Sequence, residues 1–108
     1  MQELFGEYIN KLRTAASMTL TKLAAALDID QSTLSKFENG KRQIPNTILP
    51  KMAETFNLNI KDLEREFYSE KIAEILYPQQ DTNELLKLAE EKAQYLRLKR
   101  QEQGKLNF

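Results

Sequence analysis

The 108-residue sequence predicts an all-α fold, and three observations carry that reading. Apolar residues recur at three- and four-residue spacings along almost the whole chain, and no window alternates apolar with polar residues as a half-buried strand does. Glycine and proline are scarce, three of each, so the helical period has few places to break. Where it does break, a capping residue stands at the start of the next run. The length suits one domain, or one domain with an appended element, built on a single small core.

The first helix is expected from about Gln2 to Ala16, with Phe5, Ile9, Leu12 and Ala16 on one face. Thr19 stands as the N-cap of a second helix, Leu20 to Leu27, which buries Leu23, Ala24 and Leu27. After the short turn Asp28-Ile29, Asp30 caps a third helix from Gln31 to about Asn39, with Leu34 and Phe37 inward. Gly40 ends it where a left-handed residue is usually wanted. A fourth helix covers about Asn46 to Phe56 and buries Ile48, Leu49, Met52, Ala53 and Phe56. Pro50 is awkward inside it, because only the first turn loses an N–H cheaply.

Asn59 caps a fifth helix, with Asp62 at capping-box spacing, that continues through Leu63, Phe67, Ile72, Ile75 and Leu76 to Tyr77. Residues 78–82, PQQDT, form the one clear linker. Asp81 and Glu84 open a last helix from Thr82 to Gln103, and Gly104 is read as its stop, with a fraying tail beyond. This organisation places one domain at residues 1–67 and a helical extension at 68–108.

Composition removes whole classes of function. Sixteen basic residues balance sixteen acidic ones, so any attraction to an acidic partner must be local. There is no His and no Cys, which removes disulfides, thiol nucleophiles, the usual zinc ligand sets and the commonest general base. With no Gly-rich phosphate loop either, neither an enzyme nor a cofactor nor a metal site is expected. Glu54, Glu64, Glu66, Glu70 and Glu74 are spread along helices and read as a solvated face, since calcium wants its oxygens clustered on a loop. The opening MQELFGEYINKLR lacks the apolar core of a signal peptide, and no apolar run approaches the roughly 20 residues of a membrane span. A cytoplasmic protein without membrane contact is the expectation.

The informative stretch is IDQSTLSKFENGKR, residues 29–42. A helix that only had to pack would carry Glu and Lys outward, yet this one presents small uncharged polar groups. Between residues 31 and 42, Lys36, Lys41 and Arg42 face a single Glu38, a local excess of two positive charges under a neutral total. Two short helices joined by a short turn, inside a five-helix unit, form a helix-turn-helix arrangement. A helix fits the major groove of B-DNA, where each base pair shows a distinct pattern of donors and acceptors.

From Met18 the chain reads MTLTKLAAALDIDQSTLSKFENGKRQIP and then LPKMAETFNLNIKDL. Thr19, Leu23-Ala24, Leu27, Ile29, Leu34, Glu38-Asn39-Gly40-Lys41, Pro45, Met52-Ala53 and Phe56 through Leu63 resemble the Cro/phage-repressor-type helix-turn-helix domain, the XRE family, over roughly residues 5–67. The resemblance implies a sequence-specific regulator of transcription, repressor-like, that binds double-stranded DNA as a homodimer with helix 31–39 in the major groove. On it, Gln31, Ser32, Ser35 and Lys36 are the base-facing candidates, and Thr19, Thr33, Asn39, Lys41 and Arg42 the phosphate-facing ones. It also implies that Glu38 turns inward to pair with Arg13. The chain departs from the family pattern at Asp28, where Gly is common in the turn. It departs again at Leu20, where a phosphate-binding Gln is common, and in the placement of Pro45 one position late.

The last helix carries a second apolar seam. Leu86, Ala89, Ala93 and Leu96 form an unbroken three-four stripe that Leu85 widens, and dimerisation through it is expected. The other possible destination of the stripe is the chain's own core. The ending EEKAQYLRLKR also resembles small repressor-like proteins that accompany DNA methyltransferases in restriction–modification operons. The rival reading is an antitoxin or adaptor that holds a protein partner through its C-terminal helices.

Overall fold

Short connections join the helices from Phe5 onward except between residues 38 and 49, where a longer loop ends in a 3₁₀ turn. The computed structural model describes residues 3–106, with side chains to residue 103. Among these residues the chain is all-helical and contains no strand, in agreement with the periodicity. The helices are α1 (Phe5–Ala15), α2 (Leu20–Leu27), α3 (Gln31–Glu38), α4 (Leu49–Phe56), α5 (Ile60–Leu76) and α6 (Thr82–Leu106), with a 3₁₀ turn at Asn46–Ile48 before α4. The chain divides into two compact units, residues 1–73 and 74–108, so α5 runs through the division.

Three boundaries differ from the sequence expectation, each for a physical reason. α1 begins at Phe5 rather than near Gln2, because residues 3 and 4 precede the helix and Leu4 is its N-cap in extended conformation. Glu7 reaches back to accept the Leu4 N–H at 2.9 Å, and Glu70 of α5 accepts the Phe5 N–H at 2.6 Å. Two donors left over at a helix start are thereby satisfied, one of them from 65 residues away. Ala16 lies just past the helix end and is exposed rather than on the buried face. The Asn46–Phe56 segment starts as a 3₁₀ turn, so the α-helical part begins at Leu49 and Pro50 falls in its first turn, where a missing N–H breaks no bond. α6 passes through Gly104 to Leu106, so Gly104 does not stop it. The tail beyond lies outside the described residues.

Four helix ends share one device. Ser17, Asp28, Gly40 and Asn57 all have positive φ, between 53° and 70°. After each, the next N–H bonds back to a carbonyl five residues earlier: Met18 to Arg13, Ile29 to Ala24, Lys41 to Lys36 and Leu58 to Ala53. This is the Schellman arrangement, which satisfies carbonyls a helix end leaves free. Met18, Ile29 and Leu58 are apolar and pack against the core, which turns the chain inward at those ends. Lys41 is exposed, so the turn after α3 faces solvent instead.

The core of the first unit joins Phe5 and Ile9 of α1, Leu23, Ala24 and Leu27 of α2, and Leu34 of α3 to Ile48, Leu49, Met52, Leu63 and Phe67. At roughly 1.5–3 kcal/mol for each fully buried large side chain, this cluster is the main source of stability. Phe5 and Phe67 meet edge to face at 5.3 Å between ring centroids, which fixes α1 on α5. Gly6 is where α1 crosses the end of α3: a Cβ there would overlap the Phe37 carbonyl oxygen.

The second unit presents a different surface. Leu86, Leu88, Tyr95, Leu96 and Leu98 of α6 are exposed, whereas Leu85 and Ala93 are half-buried. No helix among the described residues is long and apolar enough to cross a membrane.

Candidate nucleic-acid interface

α3 owes its position to residues at both of its ends. The Asp30 carboxylate accepts the Thr33 N–H at 2.7 Å and so caps its start. That bond holds the Asp30 carboxyl below the usual carboxylate range. Leu34 and Phe37 are buried, which fixes the rotation of the helix. At the far end, Glu38 anchors it to α1. Arg13 Nε lies 2.8 Å from Glu38 Oε2 and Arg13 Nη2 3.0 Å from Oε1, while Asn10 Nδ2 donates to Oε1 at 2.8 Å. Arg13 Nη1 also donates to the Met18 carbonyl at 3.0 Å, tying the α1–α2 turn into the same group.

The side chains of Arg13 and Glu38 are only 14% and 5% exposed. Burial alone pushes the Glu38 carboxyl up, but the hydrogen bonds from Arg13 and Asn10 outweigh it and hold the group below the usual range. The same bond raises Arg13 further.

With Leu34, Phe37 and Glu38 inward, helical geometry leaves Ser32 and Lys36 on the opposite arc and Ser35 at its edge, while Gln31, two turns before Glu38, lies on the Glu38 side at the exposed start of the helix. Gln31, Ser32 and Lys36 are exposed, and Ser35 is half-buried. Gln31 is held in place from α2: its Oε1 accepts the Thr21 hydroxyl at 2.8 Å. Asn39 folds back on the helix end, donating from Nδ2 to the Ser35 carbonyl at 2.9 Å and to its hydroxyl at 3.5 Å. Arg42 returns across the loop to donate to the Thr33 hydroxyl at 3.4 Å. Lys41 stays exposed. Thr19 caps α2 by accepting the Lys22 N–H at 3.1 Å.

Because Glu38 is neutralised inside, every exposed charge between residues 31 and 42 is positive: Lys36, Lys41 and Arg42. Exposed Lys22 in the first turn of α2 adds another positive charge, set against exposed Asp28 and Asp30 in the turn between the two helices. Among the described residues, no group of acidic side chains could hold a metal ion.

Several contributors had no strong signal in the sequence. Thr21 meets Gln31 only through the packing of α2 on α3. Asn10 lies one turn before Arg13 on α1, a spacing that places both on one face and is a usable hint. Gly6 inside a helical run is also a legible mark of close approach. Glu70, read as part of a solvated acidic face, is half-buried and engaged with α1.

The family model described as helix-turn-helix matches residues 9–63. The chain belongs to the helix-turn-helix family. That range contains α2, α3 and the Arg13–Glu38 anchor, and it falls within the resemblance read over roughly residues 5–67. The HTH-type transcriptional repressor RghR of Bacillus subtilis (strain 168) is 31% identical over 90 residues, which cover 82% of this chain and 67% of that protein. The crystal structure of the restriction-modification controller protein C.AhdI from Aeromonas hydrophila is similar with a TM-score of 0.50 and 27% identity, over 55% of this chain and 86% of that one. A transcriptional regulator from Listeria innocua shares the fold at a TM-score of 0.51 and 16% identity, over 89% of this chain and 97% of that one.

Proposed function

We propose that this helix-turn-helix protein is a sequence-specific, repressor-like regulator of transcription that binds double-stranded DNA as a homodimer, with α3 in the major groove. One observation carries the reading: the outward arc of α3 is free of acidic groups because its only carboxylate, Glu38, is consumed by Arg13 and Asn10. A phosphate-lined groove repels outward carboxylates and attracts what remains on that arc.

In this reading Gln31, Ser32, Ser35 and Lys36 face base edges. The Thr21 hydroxyl braces the amide of Gln31 through Oε1, whose second lone pair can still accept from the adenine amino group while the amide N–H donates to N7. Lys36 reaches the acceptors of guanine. Lys41 and Arg42 contact phosphates from the solvent-facing turn after α3. Thr19 serves phosphates beside the free backbone N–H groups at the start of α2, whereas Thr33 and Asn39 serve them by bracing Arg42 and the end of α3. The similarity to RghR and to C.AhdI supports a repressor or operon controller.

Exposed leucines on α6 favour a protein contact in addition to DNA. We assign that contact to a second copy of the chain, through Leu85, Leu86, Ala89, Ala93 and Leu96; the rival adaptor reading gives it to an unrelated protein. Selection from a random duplex library tests the whole. The expected product is a two-fold symmetric site with half-sites about one DNA turn apart, bound with an affinity that falls linearly in log–log against salt. No preferred duplex at low salt overturns the reading.

A further inference from the structure

The seam on α6 is self-complementary in one orientation. Leu86, Ala89, Ala93 and Leu96 are spaced three, four and three residues apart, so the pattern large-small-small-large reads the same in both directions. Leu86 and Leu96 are exposed, at 39% and 65%. A two-fold axis near Glu91, perpendicular to the helix, sets Leu86 against Leu96 of the second copy and Ala89 against its Ala93. The small residues fall at the centre, where two helices crossing by their own symmetry come closest.

Charge selects the same orientation. Glu84, Glu90 and Glu91 outnumber Lys87 and Lys92 in the first half of α6, and Arg97, Lys99 and Arg100 outnumber Glu102 in the second. In a parallel, in-register pair each basic group would be level with its own copy. Arg100, which continues the seam one turn beyond Leu96, would then meet Arg100 of the second copy. In an antiparallel pair Arg100 is level with Thr82, next to Asp81 and Glu84. The arrangement therefore replaces repulsion between like charges with attraction at both ends.

We infer that two copies pair through α6 in antiparallel order, with the two-fold axis near Glu91. This rests on the homodimer reading above and adds its geometry. The two ends of the seam are ten residues apart, about 15 Å along a helix, far beyond the reach of a disulfide. The chain has no cysteine, so introduced thiols report alone.

Leu86→Cys and Leu96→Cys are prepared as separate full-length proteins, checked for dimerisation by light scattering, then oxidised singly and as an exchanged mixture. The expected result is a disulfide-linked dimer containing one chain of each type from the mixture, and at least tenfold less from either protein alone. Efficient self-crosslinking of either variant means parallel pairing and overturns the inference. A wild-type dimer whose variants crosslink in no combination also overturns it, while leaving the homodimer standing through another surface. A wild-type chain that is monomeric throughout defeats the homodimer reading itself.

Should the seam variants fold poorly, a spin label at exposed Lys99→Cys gives the same answer. Antiparallel pairing sets the two labels about 24 Å apart along the axis; labels side by side would overturn it.

Discussion

At the scale of single residues, the Arg13–Glu38 pair links stability to recognition. Removing one partner leaves a buried charge without its counterpart, at a cost of about 3–5 kcal/mol. Arg13→Ala is expected to lower stability by that amount in urea titration; melting within error of wild type would show that the pair contributes little. The pH dependence follows from the lowered Glu38 carboxyl. The unfolded chain binds this proton more readily than the folded one, so the stabilisation is complete above the ordinary glutamate value. It is lost as pH falls through the lower folded value. Glu38→Gln should therefore melt well below wild type at neutral pH, with the gap closing in acid. Gly6 sets two effects in opposition. Gly→Ala inside a helix ordinarily gains up to about 1 kcal/mol, but here the new methyl overlaps the Phe37 carbonyl. Overpacking of this kind costs about 1–3 kcal/mol, so Gly6→Ala is expected to destabilise, as thermal melts would show. The clash of α1 against α3 that decides this is invisible along the chain, although a glycine in a helical run marks the place.

At the scale of elements, helix ends explain most of the architecture. Four helices stop in the left-handed conformation, and only one uses glycine for it. Asp28 closes α2 at the turn of the motif, where a short polar side chain tolerates positive φ. Asp28→Val puts a β-branched residue in that conformation and should cost about 1–2 kcal/mol. It should also weaken DNA binding, because α3 starts three residues later; equal melting and binding would show that the turn adapts. Starts were legible wherever the cap is local, as with Thr19, Asp30 and Asn59, each of which accepts N–H groups just ahead of it. The start of α1 was not, because its partner Glu70 arrives from α5. Asp62 stands at capping-box spacing from Asn59 but pairs with Arg65 at 3.1 Å instead.

At the scale of the whole molecule, a neutral chain leaves only positive charges exposed between residues 31 and 42 by burying Glu38. Lys41→Ala and Arg42→Ala should each weaken binding to all duplexes alike and reduce the salt slope by about 0.9. Lys36→Ala, at a position proposed to face bases, should relax sequence preference instead; uniform weakening in its place would move it to the phosphate set. In the proposed homodimer two half-site affinities multiply. Leu86→Glu combined with Leu96→Glu is expected to yield a monomer whose first unit melts normally and whose affinity falls roughly 100-fold or more. A double variant that remains dimeric in light scattering would move the dimer contact away from α6.

Periodicity, capping residues and the run from Met18 to Pro45 were enough, by themselves, to determine an all-α chain of the helix-turn-helix family. Those signals are local, since helical spacing and N-caps act within a few residues. Tertiary structure decided what depends on distant partners: the start of α1 against Glu70, the bracing of Gln31 by Thr21, and the close crossing at Gly6. It also decided that Glu38 leaves the surface, because only the meeting of α1 and α3 brings Asn10 and Arg13 to its carboxylate. The positive face of α3 is a consequence of that burial.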